Sequence, residues 1–335
     1  MRIAVLGLGF MGGVHLRAWR EVADATLAAV FSNDERQLSG DLTATQGNLG
    51  RPGEIVDFSA VQKYRDLDAL LANSEIDAVD LCVPTFMHED VAVAALRAGK
   101  HVLVEKPIAL DPASAARMIA EAERAGRILM TAQVLRFLPE YVALRNAMPL
   151  LGKVRNAFFR RRCAAPAWGG WLKDPSRSGG GAFDLLIHDV DICLHLFGPP
   201  QAVSAVGHLD TAASLDVVHG QLFYPFGTVG ISGGWQHEGA FPFGMEYSVT
   251  MDGGTVEYNS AGRVPTLYGQ AENTLELETK DGYAAEIEYF AECCRSGRQP
   301  ERCPPRESAL AVELMRMLLA ARERDGRKIL CSNLG

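Results

Sequence analysis

Along the first 134 residues, short runs of apolar positions alternate with stretches where apolar residues recur every three to four positions. The runs at 3–6, 26–31, 77–83, 101–105 and 127–134 predict strands, and the run AVDLCV inside 77–83 predicts a strand buried on both faces. The periodic stretches at 11–22, 88–98 and 112–125 predict helices. Gly99 supplies a C-terminal cap for the second of these, and Asp111-Pro112 an N-cap and first-turn proline for the third. Alternation of this kind is the signature of a parallel α/β sheet.

The pattern changes near residue 135. A stretch rich in Gly, Pro and Trp, 164–181, precedes a predicted helix at 182–197, which Gly198-Pro199-Pro200 ends. From 202 to 279, short β-type runs are separated by turns such as Asp252-Gly253-Gly254, which predicts an antiparallel sheet. Helices are predicted at 284–296 and 307–324. The expected organisation is an α/β domain over 1–134 and an α+β domain over 135–335, with no internal repeat.

Composition and charge exclude several classes. A chain that is 48% hydrophobic and 22% charged has the balance of a folded protein. A net charge of −8 argues against a nucleic-acid partner, and the run Arg160-Arg161-Arg162 is too short to reverse that. No stretch reaches the roughly 20 apolar residues of a membrane span. The apolar start is broken by Gly7, Gly9, Gly12 and Gly13, unlike a signal peptide. The cysteines are scattered without a CxxC pair, so no metal is expected. A cytoplasmic protein with reduced thiols is the expectation.

The first candidate chemistry is Gly7-Leu8-Gly9-Phe10-Met11-Gly12, placed between the first strand and first helix. In that context Gly7 permits a tight turn, Gly9 lets the backbone approach a pyrophosphate, and Gly12 lets helix and strand pack closely. The acid that usually binds the adenosine ribose stands about 20 residues on. Here Ser32, just past the second strand, holds that position instead. Ser32, Asn33 and Arg36 suit a 2′-phosphate, while Asp34 lies near enough to serve a ribose. NADP is therefore favoured over NAD.

Two further motifs carry chemistry. Glu105-Lys106-Pro107 closes a predicted parallel strand, the end at which ligands gather in open α/β sheets. The run 179–191, GGGAFDLLIHDVD, places Asp184 and His188 four residues apart on a helix, hence on one face. Asp191 follows near that face, and the glycines are expected to open the helix N-terminus to a ligand. A histidine flanked by carboxylates suits acid–base work. His195, one turn further, reads as a packing or capping residue.

Together these residues resemble the glucose–fructose oxidoreductase/inositol dehydrogenase family, Gfo/Idh/MocA. The matching segments are GLGFMG (7–12), CVPTFMHED (82–90), AGKHVLVEKP (98–107), GGGAFDLLIHDVD (179–191) and PPRESALAVELM (304–315). They span nearly the whole chain in the family's order, and the combination is specific where no single part is. The resemblance implies a Rossmann domain followed by a domain with a large open, mostly antiparallel sheet that holds substrate and oligomer contacts. It implies a catalytic set of Lys106, Asp184 and His188. Pro84, Thr85 and His88 are implied beside the cofactor with Glu105 and Lys106, and Arg136, Trp168 and Trp171 near the substrate. A homo-oligomer, dimer or tetramer, is implied too. Two features depart from the family pattern: Ser32, and a long segment at 38–60 containing GNLGRPGE, which reads as an oligomer contact or a surface loop.

The chemistry so implied is reversible hydride transfer between nicotinamide and a hydroxyl-bearing carbon of a sugar, inositol or related polyol. His188 would take the hydroxyl proton and Lys106 would stabilise the substrate oxygen, its charge also disfavouring protonated His188. Asp184 would orient the histidine or a neighbouring hydroxyl. Alternatives are a non-catalytic dinucleotide sensor, or a dihydrodiol or aldose–aldose oxidoreductase with a tightly held cofactor.

Overall fold

In the computed structural model, which describes residues 1–47, 53–332 and 334, the chain divides into two compact units. The first comprises Met1–Val134 and Asp281–Ala309, the second Leu135–Lys280 and Leu310–Gly335.

The first unit opens with β1 (Arg2–Leu6), α1 (Phe10–Trp19), β2 (Thr26–Phe31), α2 (Glu35–Leu38), β3 (Gln62–Tyr64), α3 (Leu67–Leu71), β4 (Ala78–Leu81), α4 (His88–Arg97), β5 (His101–Glu105), α5 (Pro112–Ala125) and β6 (Leu129–Ala132). Its sheet runs β3-β2-β1-β4-β5-β6, and every adjacent pair is parallel. The order reverses between β1 and β4, the switch point at which such sheets bind ligands. Every residue of β4 is buried, Asp80 included, as the run AVDLCV predicts. Asp111 caps α5 and Gly126, at φ 62°, ends it. The predicted strand at 127–134 is shorter, because a 3-10 turn takes over at Val134–Arg136.

The second unit carries α6 (Pro139–Leu151), β7 (Val154–Ala164), α7 (Pro175–Ser178), α8 (Ile187–Phe197), β8 (Ala202–Asp210), β9 (Leu215–Tyr224), β10 (Gly227–His237), β11 (Gly244–Met251), β12 (Gly254–Asn259), β13 (Arg263–Tyr268) and β14 (Glu272–Thr274). After α9 (Gly282–Ser296) and α10 (Pro305–Arg322), β15 (Ile329–Leu330) joins the same sheet. The nine strands lie in the order β14-β13-β12-β11-β7-β10-β9-β8-β15. Only the β7–β10 pair is parallel. Alternation is clean on β9, where Asp216, Val218, Gly220, Leu222 and Tyr224 are buried between more exposed neighbours.

The sequence placed 281–309 with the second domain, but the structure packs it in the first unit. Its helix α9 buries Ala284, Ile287, Phe290 and Ala291, and that face needs an apolar partner. The edge of Phe290 meets Trp19 of α1 with ring centroids 6.4 Å apart. The long segment 38–60 is also better anchored than a loop. Leu42 N–H donates to the Glu54 carbonyl and Val56 N–H to the Gly40 carbonyl. Leu42, Val56 and Phe58 are buried, and Glu54 pairs with Arg17 and Arg20 of α1. Within GNLGRPGE, residues 48–52 lie outside the described residues. Among the described residues no helix is long and apolar enough to cross a membrane.

Candidate active site

The glycine loop meets the geometric demands of a dinucleotide. Gly7 has φ 93°, and a Cβ there would lie 2.6 Å from the Cys82 carbonyl oxygen. A Cβ on Gly12 would lie 2.0 Å from the Gly7 carbonyl oxygen, so helix and strand approach more closely than any side chain allows. A Cβ on Gly9 would meet nothing within 4 Å. Gly9 is thus bare backbone facing open space at the start of α1, with Phe10 and Met11 half-buried in the first turn. That is the arrangement a pyrophosphate requires.

The turn after β2 is tightly bonded. Ser32 is buried, donates to Gln37 Oε1 at 2.6 Å and accepts from the Asp34 N–H at 3.1 Å. The Asp34 carboxylate caps α2 by accepting from Arg36 N–H and Gln37 N–H. Arg36 is half-exposed and binds Asp41 through Nε at 2.7 Å and Thr43 at 2.9 Å. Arg65, which the sequence reading missed, pairs with Glu35 and donates to the Asn33 carbonyl at 3.1 Å. Its signal was its position one residue past β3, next to β2 in the sheet.

At the carboxyl end of β4, Pro84 and the buried Thr85 begin a 3-10 turn beside the glycine loop. His88 calls for a correction. Its ring is buried, with Nδ1 2.9 Å from the Pro107 carbonyl and Nε2 3.0 Å from the Val83 carbonyl. A ring so enclosed ties the exits of β4 and β5 together and has no direct reach to a cofactor. Burial holds its imidazole below the ordinary value.

Lys106 is half-buried at the end of β5, and its N–H donates to the Glu105 carboxylate at 2.9 Å. Glu105 leads inward to a charged cluster that the sequence reading did not find. His15 of α1 is fully buried, with Nδ1 2.9 Å from Asp80 Oδ2 and Nε2 3.0 Å from Glu105 Oε1. Trp19 Nε1–H donates to the same Asp80 oxygen at 2.7 Å. Burial alone would lower the His15 imidazole, but the Asp80 carboxylate beside it holds it well above its ordinary value. Burial pushes the Glu105 carboxyl up, and the His15 bond and charge more than offset this. His15, Asp80 and Cys82 have potential metal-ligand atoms within 4.8 Å of one another. Burial and the neighbouring Asp80 push the Cys82 thiol up to about 12.

In the second unit, residues 181–194 are buried with two exceptions, Asp184 and His188. Ala182–Leu186 is wound as a π-helix turn, and Ile187–Phe197 continues as α8. Four residues cover a little less than a π turn and a little more than an α turn, so both side chains stay on one face. Asp184 Oδ2 accepts from Trp235 Nε1–H at 3.2 Å. Trp235, on β10, packs with Cys163 and Leu185 and was not foreseen. Its signal was a tryptophan directly after Gly233-Gly234 in a strand.

The remaining acids of the motif are structural. Asp189 binds Arg161 of β7, with Nε–H donating at 3.0 Å, and Asp191 binds Arg136 through two bonds of 2.9 and 2.7 Å. Arg136, expected at the substrate, therefore has to be reassigned. Its side chain is 0% exposed, so the fork grips Asp191 and has no surface to offer a ligand. The triple glycine is also reinterpreted. A Cβ on Gly180 would come 2.6 Å from Asp216 Oδ2, and one on Gly181 2.9 Å from the Trp235 nitrogen. The Ala182 N–H donates to Asp216, which is itself held by Arg322 at 2.6 Å. The helix start is thus closed by protein groups. Trp168 and Trp171 are half-buried before this segment, and His195 is half-buried in the last turn of α8.

Comparison with known proteins agrees with this geometry. Residues 1–133 match the family described as an oxidoreductase family with an NAD-binding Rossmann fold, and residues 149–257 match the GFO/IDH/MocA C-terminal domain. The chain is 30% identical over 307 residues to the UDP-N-acetylglucosamine 3-dehydrogenase of Acidithiobacillus ferrooxidans, covering 87% of each. It is 32% identical over 202 residues to the myo-inositol 2-dehydrogenase of Thermotoga maritima, covering 59% of this chain and 55% of that one. In fold it is similar to the aldose–aldose oxidoreductase of Caulobacter crescentus, with a TM-score of 0.82, 23% identity, and 98% and 99% of the two chains covered.

Proposed function

The chain belongs to the GFO/IDH/MocA family of oxidoreductases, and from that premise we propose that it moves a hydride between nicotinamide and a hydroxyl-bearing carbon of a sugar, inositol or related polyol. The observation that carries this reading is the isolation of Asp184 and His188 as the accessible polar pair of an otherwise buried segment. Their neighbours Asp189 and Asp191 are enclosed and bound to arginines. The relatives named above, an amino-sugar nucleotide dehydrogenase and an inositol dehydrogenase, support the substrate class.

Residues 1–134 bind the dinucleotide in this reading, and the second unit holds the substrate. The cofactor supplies the carbon that accepts or returns the hydride. His188 accepts the hydroxyl proton at a ring nitrogen, and Lys106 donates from Nζ to the substrate oxygen as negative charge grows there. Asp184, fixed by the Trp235 N–H, orients His188 or a neighbouring hydroxyl. Trp168 and Trp171 offer flat faces to a sugar ring. Exposed apolar residues on the nine-stranded sheet, among them Phe158, Val206 and Leu209, support a homo-oligomer.

NADPH is the preferred cofactor in this proposal. The nearest carboxylate, Asp34, is engaged as an N-cap, and Ser32 offers a neutral hydroxyl where a family acid would stand. The exposed Arg36–Asp41 pair is held only weakly, so Arg36 can exchange Asp41 for a 2′-phosphate. Screening polyols, inositols, sugars and nucleotide sugars with NAD and NADP tests the function, and the expected result is cofactor reduction with at least one of them. Fluorescence titration tests the preference. Wild type should bind NADPH more tightly, and Ser32→Asp should reverse this by weakening NADPH about tenfold or more, since like charges in a partly desolvated cleft cost several kcal/mol. Tighter NADH binding by wild type would reassign Asp34 to the ribose.

A further inference from the structure

The first unit has a second charged region, at the end of its sheet away from the glycine loop. An open cavity of about 680 Å³ lies at the amino ends of β4 and β5. That size suits a small-molecule ligand. Its charged lining comes from Asp68 on α3, Asp77 just before β4, Lys100 and His101 at the start of β5, and Arg127 just before β6. The strands lie in the order β4-β5-β6, so the acids enter from one side and the bases from the other.

Arg127 differs from the other arginines around it. Every described arginine before it in the chain pairs with a carboxylate. The Arg127 side chain has no hydrogen-bond or ion-pair partner among the described residues, although its Nε is buried. A buried charged donor without an acceptor is costly and rare in folded proteins. The guanidinium lies over Gly99, where a Cβ would come 3.6 Å from Nη2. The C-terminal end of α4 accounts for a cation at this place, but not for a donor left without a partner.

Two neighbours add donors. Lys100 is buried and gives two of its three N–H groups to the Asn73 and Ile76 carbonyls, at 2.7 and 2.8 Å. His101 Nδ1 accepts from the Ile128 N–H at 3.0 Å, so Nε2 carries the ring proton. Burial, and then the Arg127 charge, hold the His101 imidazole below its ordinary value. Burial also lowers the Lys100 ammonium, against the pull of Asp77. Asp77 itself accepts from the Arg2 N–H at 2.7 Å.

We propose that this cavity is a second ligand site, for the phosphate monoester of a small hydroxylated molecule. The phosphate takes the Arg127 fork, the His101 Nε2–H and the remaining Lys100 N–H. Three donor residues suit the three terminal oxygens of a phosphate better than the two of a carboxylate. The cavity has room for more than a phosphate group, and Asp68 and Asp77 accept from hydroxyls on the rest of the molecule. The site is separate from the glycine loop and does not depend on the hydride-transfer reading.

Calorimetric titration tests it, with the more tightly bound of NADPH and NADH in excess so that the dinucleotide site is filled. The probe is D-glucose 6-phosphate, compared with inorganic phosphate. Wild type should bind the ester with a Kd of about a millimolar or tighter, and at least about threefold more tightly than inorganic phosphate. Arg127→Gln should weaken the ester about tenfold or more, because it removes the charged fork, and should leave dinucleotide affinity unchanged. Absence of ester binding in wild type overturns the proposal. So does undiminished binding in Arg127→Gln, which would place the sugar phosphate elsewhere on the protein. Equal affinity for inorganic phosphate removes the assignment to an ester, and a parallel loss of dinucleotide affinity marks damage to the unit and contradicts a local contact. Should Arg127→Gln fail to fold, wild type still decides. Its His101 titration, followed by NMR, should move to higher pH when the ester is added, and an unmoved titration contradicts the site.

Discussion

Replacing Lys106 with methionine is expected to lower turnover by about a hundredfold or more, while cofactor affinity changes by less than about threefold. Methionine matches the length of the lysine stem but cannot donate a hydrogen bond or carry charge. As a hydroxyl is oxidised, its oxygen passes through an anionic stage, and a donor aimed there is typically worth two to three orders of magnitude. The backbone of Lys106 is fixed by the Glu105 carboxylate, so the substitution leaves the strand end intact. The glycine loop is untouched. Steady-state kinetics with a parallel fluorescence titration of the cofactor provides the check. Turnover near that of wild type would require another group to stabilise the oxygen.

His188→Asn is expected to reduce the oxidation rate by about two orders of magnitude or more and to remove its dependence on pH near neutrality. A histidine base must be neutral to accept a proton, so wild-type oxidation should rise with pH through one ionisation and then level. Asparagine preserves a polar side chain at this partly exposed position but cannot take up a proton. His188 is partly exposed, so the substitution leaves its buried neighbours, the Asp189 and Asp191 ion pairs included, in place. A profile of kcat/KM against pH for both proteins decides. An unaltered rising limb in the variant moves the base elsewhere, with Asp184 next in line.

Much of the fold was legible because its signals are local. Strands β1, β2, β4 and β5 and helices α1, α4 and α5 each carry an apolar run or a helical period, bounded by Gly, Pro or a capping Asp. Strand β7 was missed because Arg160, Arg161 and Arg162 look like a solvated run. In the structure Arg160 pairs with Glu246 of the neighbouring strand, while Arg161 turns into the core to Asp189. The packing of α9 on α1 was missed for another reason. Phe290 and Trp19 are more than 250 residues apart, and no local pattern encodes a contact of that range.

The site divides in the same way. The roles of the three loop glycines follow from their order after a strand, and the Cβ geometry matches each of them. Asp184 and His188 could be picked from spacing, although the π turn between β7 and α8 could not. Arg136 and His88 were placed at ligands by the family resemblance alone. Burial decided otherwise, since both side chains are enclosed and bonded to protein groups. His15, by contrast, lies three residues past the last loop glycine with nothing in the neighbouring sequence to single it out. Its importance depends on Asp80 and Glu105, which reach it from two separate strands.

The central claim is direct transfer of hydrogen between a carbinol carbon and nicotinamide. It is tested most directly with a substrate found in the screen, deuterated at the carbon that bears the reacting hydroxyl. The reduced cofactor is then isolated and its deuterium located by mass spectrometry and NMR. The expected result is one deuterium at C4 of the nicotinamide ring, on a single face, in every turnover. Reduced cofactor carrying no deuterium, with the label released to water, would contradict it.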